Sequence, residues 1–302
     1  MKRFALAGNP AIISRAWLNN LERRVPGDLP TIKAYHVSRY VLADVFGVDW
    51  LNENVAPGST SSFFLNNHAT AEESATHLTR VINLAEMLFN CQWIPGYAEC
   101  IRQFKATDQI EPTYAELDIA RLLIAYDHNF RFNVPTGKKG GDFDLLITYP
   151  NGIEICADTK CKLEETSFTE DTLKNSLEDA RKRNLPPDRP GMIFAKVPQK
   201  WAKDESGHQR VVKVTDDFFR NTRRIVSVKY YTSFVGEVRE FDQVGETLGW
   251  HELANPRNRF DAAADWQLFP GISEVVKRWN GRPPHWKPIT KGWPVAPAPR
   301  SQ

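Results

Sequence analysis

The sequence contains few cysteines and no long apolar run. Its four cysteines among 302 residues include no CxxC pair, which argues against a disulfide framework and against structural zinc. No stretch reaches the 18 apolar residues of a membrane span, and the first residues lack the apolar stretch and cleavage site of a signal peptide. We therefore expect a cytoplasmic protein without membrane contacts.

The chain also lacks a strong net charge. Its 39 basic and 37 acidic residues give a formal charge of +2, which identifies no partner. The charges are unevenly distributed, however, because residues 180–229 contain 13 Lys and Arg against 5 Asp and Glu. Such a surplus indicates either a solvated face or a contact surface for phosphates, and the sequence leaves both open.

The length exceeds that of one average domain, and the sequence pattern changes twice along the chain. Residues 1–105 form a predicted helical N-terminal domain. Its clearest helix begins at the capping box Thr70 to Glu73 and continues with apolar residues at helical spacing. We predict a central domain at 106–240 and a C-terminal extension at 241–302. The Pro- and Trp-rich tail of this extension is disordered, packs on its own domain or docks on a partner.

The central region predicts an α/β domain with the element order α-β-β-β-α-β-α-β. A helix from Glu111 precedes a strand at 130–134, and a Gly-rich loop leads to a β-hairpin at 143–149 and 153–161. We then expect a helix from Ser167 to about Asn184, a strand at 191–197, a short helix capped by Thr215 and a strand at 225–234.

Acidic side chains are expected to converge at the hairpin. Strand alternation places Asp158 and Lys160 on one face, and Asp142 and Asp144 begin the neighbouring strand. Carboxylates gathered in this way repel one another unless a hard cation neutralises them. Mg²⁺ takes oxygen ligands and substrate phosphates, so the pattern predicts a magnesium site with Lys160 beside it. Such a site suits metal-assisted hydrolysis of a phosphodiester.

These motifs resemble the PD-(D/E)XK nuclease superfamily over residues 111–234. An acid at the head of one strand is followed on the next strand by Asp158-Thr159-Lys160. The resemblance implies a restriction-endonuclease-like αβββαβ core with a mixed central sheet flanked by helices. It also implies a metal-dependent nuclease, with Mg²⁺ or Mn²⁺ as cofactor, and the expected activity is that of a DNA endonuclease of restriction, repair or defence type. Glu116 matches the further metal-binding glutamate that the preceding helix often carries.

Three alternatives remain open for the proposed ligands. Asp144 fits the first acid of the motif better because an apolar strand follows it directly, whereas Asp142 would bind metal through water or cap the loop. Glu116 would instead complete a capping box with Thr113. The whole set could also be scattered charges on a surface hairpin.

Basic residues around the motif are candidates for nucleic-acid contact. Their loop lacks the GxxxxGK[S/T] order of a nucleotide-binding P-loop. The candidates are Lys138, Lys139, Lys174, Arg181, Lys182 and Arg183.

The cysteine positions depart from the iron–sulfur pattern of some nucleases in the superfamily, so we expect no iron–sulfur cluster. Nothing in the sequence excludes a homodimer. A non-catalytic nucleic-acid-binding or assembly protein, or a hydrolase of small phosphoesters, is the alternative function.

Overall fold

The computed structural model describes residues 12–57, 63–64, 70–106, 110–238, 243–260, 268–269 and 286–291. The first part of the chain is helical, as expected. Its helices are α1 (Arg15–Arg24), α2 (Pro30–Phe46), α3 (Val48–Asn54), α4 (Ala71–Cys91) and α5 (Tyr97–Ala106).

Local sequence signals set the ends of these helices. Ser14 caps α1 by accepting a hydrogen bond from the Trp17 amide. The capping box predicted for α4 is present, because Thr70 accepts from the Glu73 amide while the Glu73 carboxylate accepts from the Thr70 amide. The helix α2 ends at Gly47, whose φ of +101° lies in the left-handed region that favours glycine.

A mixed six-stranded sheet forms the centre of the molecule. Its spatial order is β1-β2-β3-β4-β5-β6, and only the pairs β3/β4 and β4/β5 are parallel. The strands are β1 (Asn129–Phe132), β2 (Leu145–Thr148), β3 (Glu154–Cys161), β4 (Gly191–Lys196), β5 (Ile225–Val238) and β6 (Gln243–Ala254).

Helices cover both faces of this sheet. They are α6 (Ile110–Ala125), α7 (Glu170–Asp179), α8 (Gln199–Lys203) and α9 (Glu205–Arg220). Alternate strand residues enter different cores: Ala157 belongs to the cluster that includes α4 and α6, and Cys156 belongs to the cluster that includes α7 and α9. The α/β class, the mixed sheet and the flanking helices are thereby confirmed.

The predicted domain boundaries do not interrupt the core. Phe104 and Leu117, from opposite sides of residue 105, are fully buried in one hydrophobic cluster with sheet residues. The sheet likewise continues past residue 240, because β6 pairs antiparallel with β5.

Two predicted helix starts are wrong. Thr215 lies inside α9, where its hydroxyl donates to the Val211 carbonyl, and Asp204 is the N-cap. The helix expected from Ser167 begins at Glu170, and Thr169 is its N-cap.

Part of the Pro- and Trp-rich tail packs on the N-terminal helices. The indole N–H of Trp286 donates to Glu86 Oε2 of α4 at 3.0 Å, and the Ile289 amide donates to Glu86 Oε1 at 3.1 Å. Both Trp286 and Ile289 are buried in the main core. Three alternatives were predicted for the tail, and residues 286–291 show one of them, which is packing on the chain itself.

Among the helices described, none is long and apolar enough to cross a membrane.

Candidate active site

The β2–β3 hairpin positions the first two acidic residues. Leu145 of β2 lies opposite Ala157 of β3, and the connecting turn uses Gly152 at a φ of +82°. The backbone pairing extends one residue further, because the Asp144 amide donates to the Ala157 carbonyl at 3.0 Å. Asp144 is thereby held beside the strand segment that carries Asp158.

The backbone of β3 also fixes the Asp144 side chain. The Thr159 amide donates to Asp144 Oδ2 at 2.5 Å. A backbone donor of this kind stabilises the ionised carboxylate and sets its orientation. Asp144, rather than Asp142, therefore occupies the position between the two strands.

Asp158 and Lys160 form a largely buried ion pair. Asp158 is fully buried, and Lys160 Nζ lies 3.0 Å from Asp158 Oδ2. Lys160 keeps a fifth of its side chain exposed and also lies 3.5 Å from Asp179 Oδ2 at the end of α7. The ammonium is thus placed between a buried carboxylate and solvent.

Glu116 comes to the site from α6. This helix begins at Ile110, so Glu116 lies in its second turn and does not occupy the N3 position of a capping box with Thr113. Burial, and then the charge of Asp158, raise the pKa of Glu116 to about 8. The capping alternative is therefore excluded, and the glutamate belongs to the acidic group.

The three carboxylates perturb one another. Burial raises the pKa of Asp144 well above its ordinary range, and the charges of Glu116 and Asp158 raise it further. Burial also raises the pKa of Asp158, although Lys160 opposes the change. Perturbed carboxyl groups that converge beside a lysine are typical of functional sites. The full burial of Asp158 and the backbone hydrogen bond to Asp144 exclude the alternative that these residues are scattered charges on a surface hairpin.

Asp142 has a different role in the structure. Its Oδ1 accepts hydrogen bonds from the backbone amides of Thr136 at 2.7 Å and Gly137 at 2.9 Å. The carboxylate therefore closes the Gly-rich loop, which is one of the two alternatives that the sequence left open.

Two polar residues of the site were missed by the sequence analysis. Asn184 donates from Nδ2 to Asp158 Oδ1 at 2.7 Å, and Asp179 contacts Lys160. Asn184 ends a π-helical turn, Ala180–Asn184, that follows α7 directly. Such turns often occur at functional sites, but no sequence signal marks this one.

The basic candidates lie in two segments that touch each other. Lys138 and Lys139 are exposed in the Gly-rich loop, and the Gly140 amide of that loop donates to the Arg183 carbonyl at 2.6 Å. Three of the candidates have acidic neighbours on α7. Arg181 pairs with Glu178, Lys182 lies 3.1 Å from the same carboxylate, and Arg183 lies 3.0 Å from Asp179. Lys174 is exposed on α7.

The donor chemistry of the site fits a hard cation. Glu116, Asp144 and Asp158 offer only oxygen atoms, and their mutual repulsion favours neutralisation by a metal. In the part of the chain that the structure describes, no group of three or more His, Cys, Asp or Glu residues forms a ready-made metal site. Binding a metal would thus require the carboxylates to reorient.

Comparison with known proteins gives no family for this chain. No family model, no curated protein and no solved structure matches it.

Proposed function

We propose that this chain is a metal-dependent nuclease that hydrolyses phosphodiester bonds, with DNA as its substrate. The proposal rests on one observation: the fully buried Asp158 lies beside the ammonium of Lys160, and the charges of Asp144, Asp158 and Glu116 act on one another there. Burying this much charge is costly unless it has a function or a ligand.

The residues would divide the chemistry among them. Glu116, Asp144 and Asp158 would hold Mg²⁺ or Mn²⁺, which when bound would lower the pKa of a water molecule and supply positive charge. Lys160 would stabilise the negative charge that develops on the phosphate oxygens in the transition state. Asn184 would orient Asp158 through the hydrogen bond to Oδ1.

The element order supports a PD-(D/E)XK nuclease of restriction-endonuclease-like fold. The helix α6 is followed by β1, β2 and β3, then by α7 and β4. Asp144 stands at the head of β2, and Asp158-Thr159-Lys160 lies within β3. Motif and element order therefore agree with the resemblance.

Nucleic acid is favoured over a small phosphoester by the charged surroundings. The loop with Lys138 and Lys139 and the turn with Arg183 contact each other, and Asn184 of the same turn reaches Asp158. Basic side chains therefore lie next to the carboxylates. A nucleic acid has further phosphates on either side of the one that reacts, and these basic side chains could contact them.

A non-catalytic nucleic-acid-binding protein is the second candidate. One observation favours it: both oxygens of Asp158 already have partners in the chain, Asn184 and Lys160. These two partners offset part of the cost of burying the carboxylate without a metal.

Cleavage assays distinguish these two candidates. Purified protein is incubated with labelled linear, circular and single-stranded DNA and with RNA, in Mg²⁺, Mn²⁺ or EDTA. We expect cleavage with either metal, loss of cleavage in EDTA, and loss in Asp158→Asn but not in the exposed control Asp171→Asn. Activity in excess chelator refutes the metal mechanism, and binding without cleavage in every metal supports the second candidate.

A further inference from the structure

Three arginines lie together at the amino ends of β4 and β5. Arg181 belongs to the π-helical turn, Arg224 directly precedes β5, and Arg259 follows β6. Arg224 donates to the Arg181 carbonyl, while the Arg259 guanidinium donates to the Pro187 carbonyl at 2.5 Å. The Arg181 guanidinium in turn donates to the Asn221 carbonyl at 3.2 Å. Hydrogen bonds from the three side chains thus tie together segments that are distant in sequence.

Buried hydrogen bonds hold this arrangement in position. The side-chain amide of Asn255, which is almost fully buried, donates to the carbonyls of Thr222 at 3.0 Å and Ile225 at 2.8 Å. The Arg259 amide donates to the Arg223 carbonyl at 2.8 Å. The segments that carry Arg224 and Arg259 are therefore tied to each other, which pre-organises the two side chains.

The positive charge of the group is poorly compensated. Burial, and then the charges of Arg181 and Arg259, lower the pKa of Arg224. Among the described residues, the acidic neighbour of Arg181 is Glu178, which Lys182 also contacts. Arg181 and Lys182 thus share this carboxylate, and among the described residues neither Arg224 nor Arg259 forms an ion pair. Holding these like charges near one another costs free energy that a bound anion would offset.

Arg224 also has an unused donor. Its Nε is buried and donates to no acceptor in the described part of the chain. A buried donor without an acceptor is costly, so an acceptor supplied by a ligand would stabilise it. The planar guanidinium group suits the bidentate recognition of phosphate oxygens.

The group lies close to the candidate active site. Ile225, which follows Arg224, pairs with Gly191 of β4, and Gly191 pairs with Cys156, two residues before Asp158. Ile225 and Asp158 are therefore two strand spacings and two residues apart, which corresponds to a distance of about 10–15 Å between their backbones. The π-helical turn links both places, since Arg181 and Asn184 belong to it.

We propose that Arg181, Arg224 and Arg259 form a phosphate-binding site that holds a phosphate of the substrate strand beyond the one that is cleaved. The assignment of this phosphate to a nucleic-acid strand rests on the proposed function. The charges of Arg224 and Arg259, which form no ion pair among the described residues, the unused Arg224 donor and the proximity to Asp158 carry the proposal.

Binding measurements in EDTA test this site without any cleavage. Fluorescence anisotropy follows a labelled DNA duplex over a range of salt concentrations with the full chain, Arg259→Gln, Arg224→Lys and a control. The control, Arg220→Gln, removes an equally charged, exposed arginine that pairs with Asp217 at 2.7 Å on α9. Arg224→Lys keeps the charge but removes the planar fork, and circular dichroism verifies folding.

We expect Arg259→Gln to weaken duplex binding about tenfold and to reduce the salt slope by about one, as loss of one phosphate contact should. Arg224→Lys should also weaken binding, whereas Arg220→Gln should change it less than about twofold. Equal losses of duplex affinity in all three variants would indicate a diffuse basic surface and overturn the proposed site. Unchanged affinity in Arg259→Gln would also overturn it.

A second arm identifies the source of the phosphate. Inorganic phosphate should raise the melting temperature of the wild type and of Arg220→Gln, but not of Arg259→Gln. If phosphate protects in this pattern while no nucleic acid binds, the strand as ligand and the proposed function both fail. If Arg259→Gln loses duplex affinity while the wild type does not cleave with any metal, the phosphate site is supported and the nuclease proposal fails alone.

Discussion

The side-chain amide of Asn184 donates a 2.7 Å hydrogen bond to Oδ1 of the fully buried Asp158. This bond favours the ionised carboxylate and opposes the effect of burial, which raises the pKa of Asp158. The π-helical turn therefore takes part in setting the charge of the candidate metal ligand.

Replacing Asn184 with Ala should raise the pKa of Asp158 further. Metal binding needs the ionised carboxylate, so the acidic limb of the pH–rate profile should move to higher pH, while activity at high pH recovers in part. Steady-state cleavage between pH 5 and 9, roughly the range where perturbed carboxyls titrate, measures the shift. The control Asn175→Ala alters an exposed residue of α7 and should leave the profile unchanged. An unshifted profile in Asn184→Ala would contradict this role.

Replacing Lys160 with Met should separate chemistry from binding. If the ammonium stabilises charge mainly in the transition state, turnover should fall by about 100-fold or more while affinity for DNA stays nearly constant. Single-turnover cleavage and anisotropy measure the two quantities. Lys213→Met, at an exposed ion pair with Glu170, serves as the control. A folded Lys160→Met protein that cleaves at the wild-type rate would remove Lys160 from the mechanism.

The raised pKa of Glu116 predicts how stability depends on pH without metal. The folded-state pKa is about 8 and the ordinary value is 4.5, so between these values the folded chain binds more protons than the unfolded chain. The free energy of unfolding should therefore fall as pH rises through this interval in EDTA. Glu116→Gln should flatten the dependence, and Mg²⁺ should restore stability most at high pH.

Urea denaturation from pH 5 to 9, chosen to cover roughly this interval, measures the dependence. The exposed control Glu165→Gln should keep the wild-type slope. Stability that rises with pH across the interval, or that is unaffected by Glu116→Gln, would show that Glu116 does not contribute.

Replacing Trp286 with Phe tests the attachment of the C-terminal segment to α4. Phe keeps an aromatic ring but removes the indole N–H that donates to Glu86 Oε2, leaving a buried acceptor without its partner. The free energy of unfolding should fall by about 1–3 kcal/mol. Trp93→Phe, at a tryptophan that is 68% exposed, is the matched control and should cost much less. Equal urea midpoints for the two variants would contradict the contact.

The sequence predicted the part of the site that depends on local periodicity. The alternation of β3 and the short turn at Gly152 were enough to bring Asp144 next to Asp158 and Lys160. Glu116 was found through the resemblance and its place in α6. Its alternative, a capping box, was excluded only once the helix was seen to begin at Ile110.

Contacts that depend on tertiary packing could not be predicted. Asn184 reaches Asp158 because a π-helical turn replaces the expected end of α7. The segment of Arg259 reaches the segment of Arg224 because β5 pairs with β6 and the Arg259 amide donates to the Arg223 carbonyl. Threonine is common at helix N-caps, but its hydroxyl can also donate to a carbonyl inside a helix, as Thr215 does. The sequence therefore did not show that α9 is capped eleven residues earlier, by Asp204.

The β2–β3 hairpin has a consequence for the folding of the site. Asp144 and Asp158 are 14 residues apart on one local unit, so bringing them together closes only a short loop. A hairpin of this kind forms within about 1–10 μs, far faster than the parallel pairing of β3 with β4 across residues 162–190. On this basis we expect the two aspartates to become neighbours before the sheet is complete. If they hold a metal as proposed, a divalent cation present during refolding would stabilise the hairpin at an early stage.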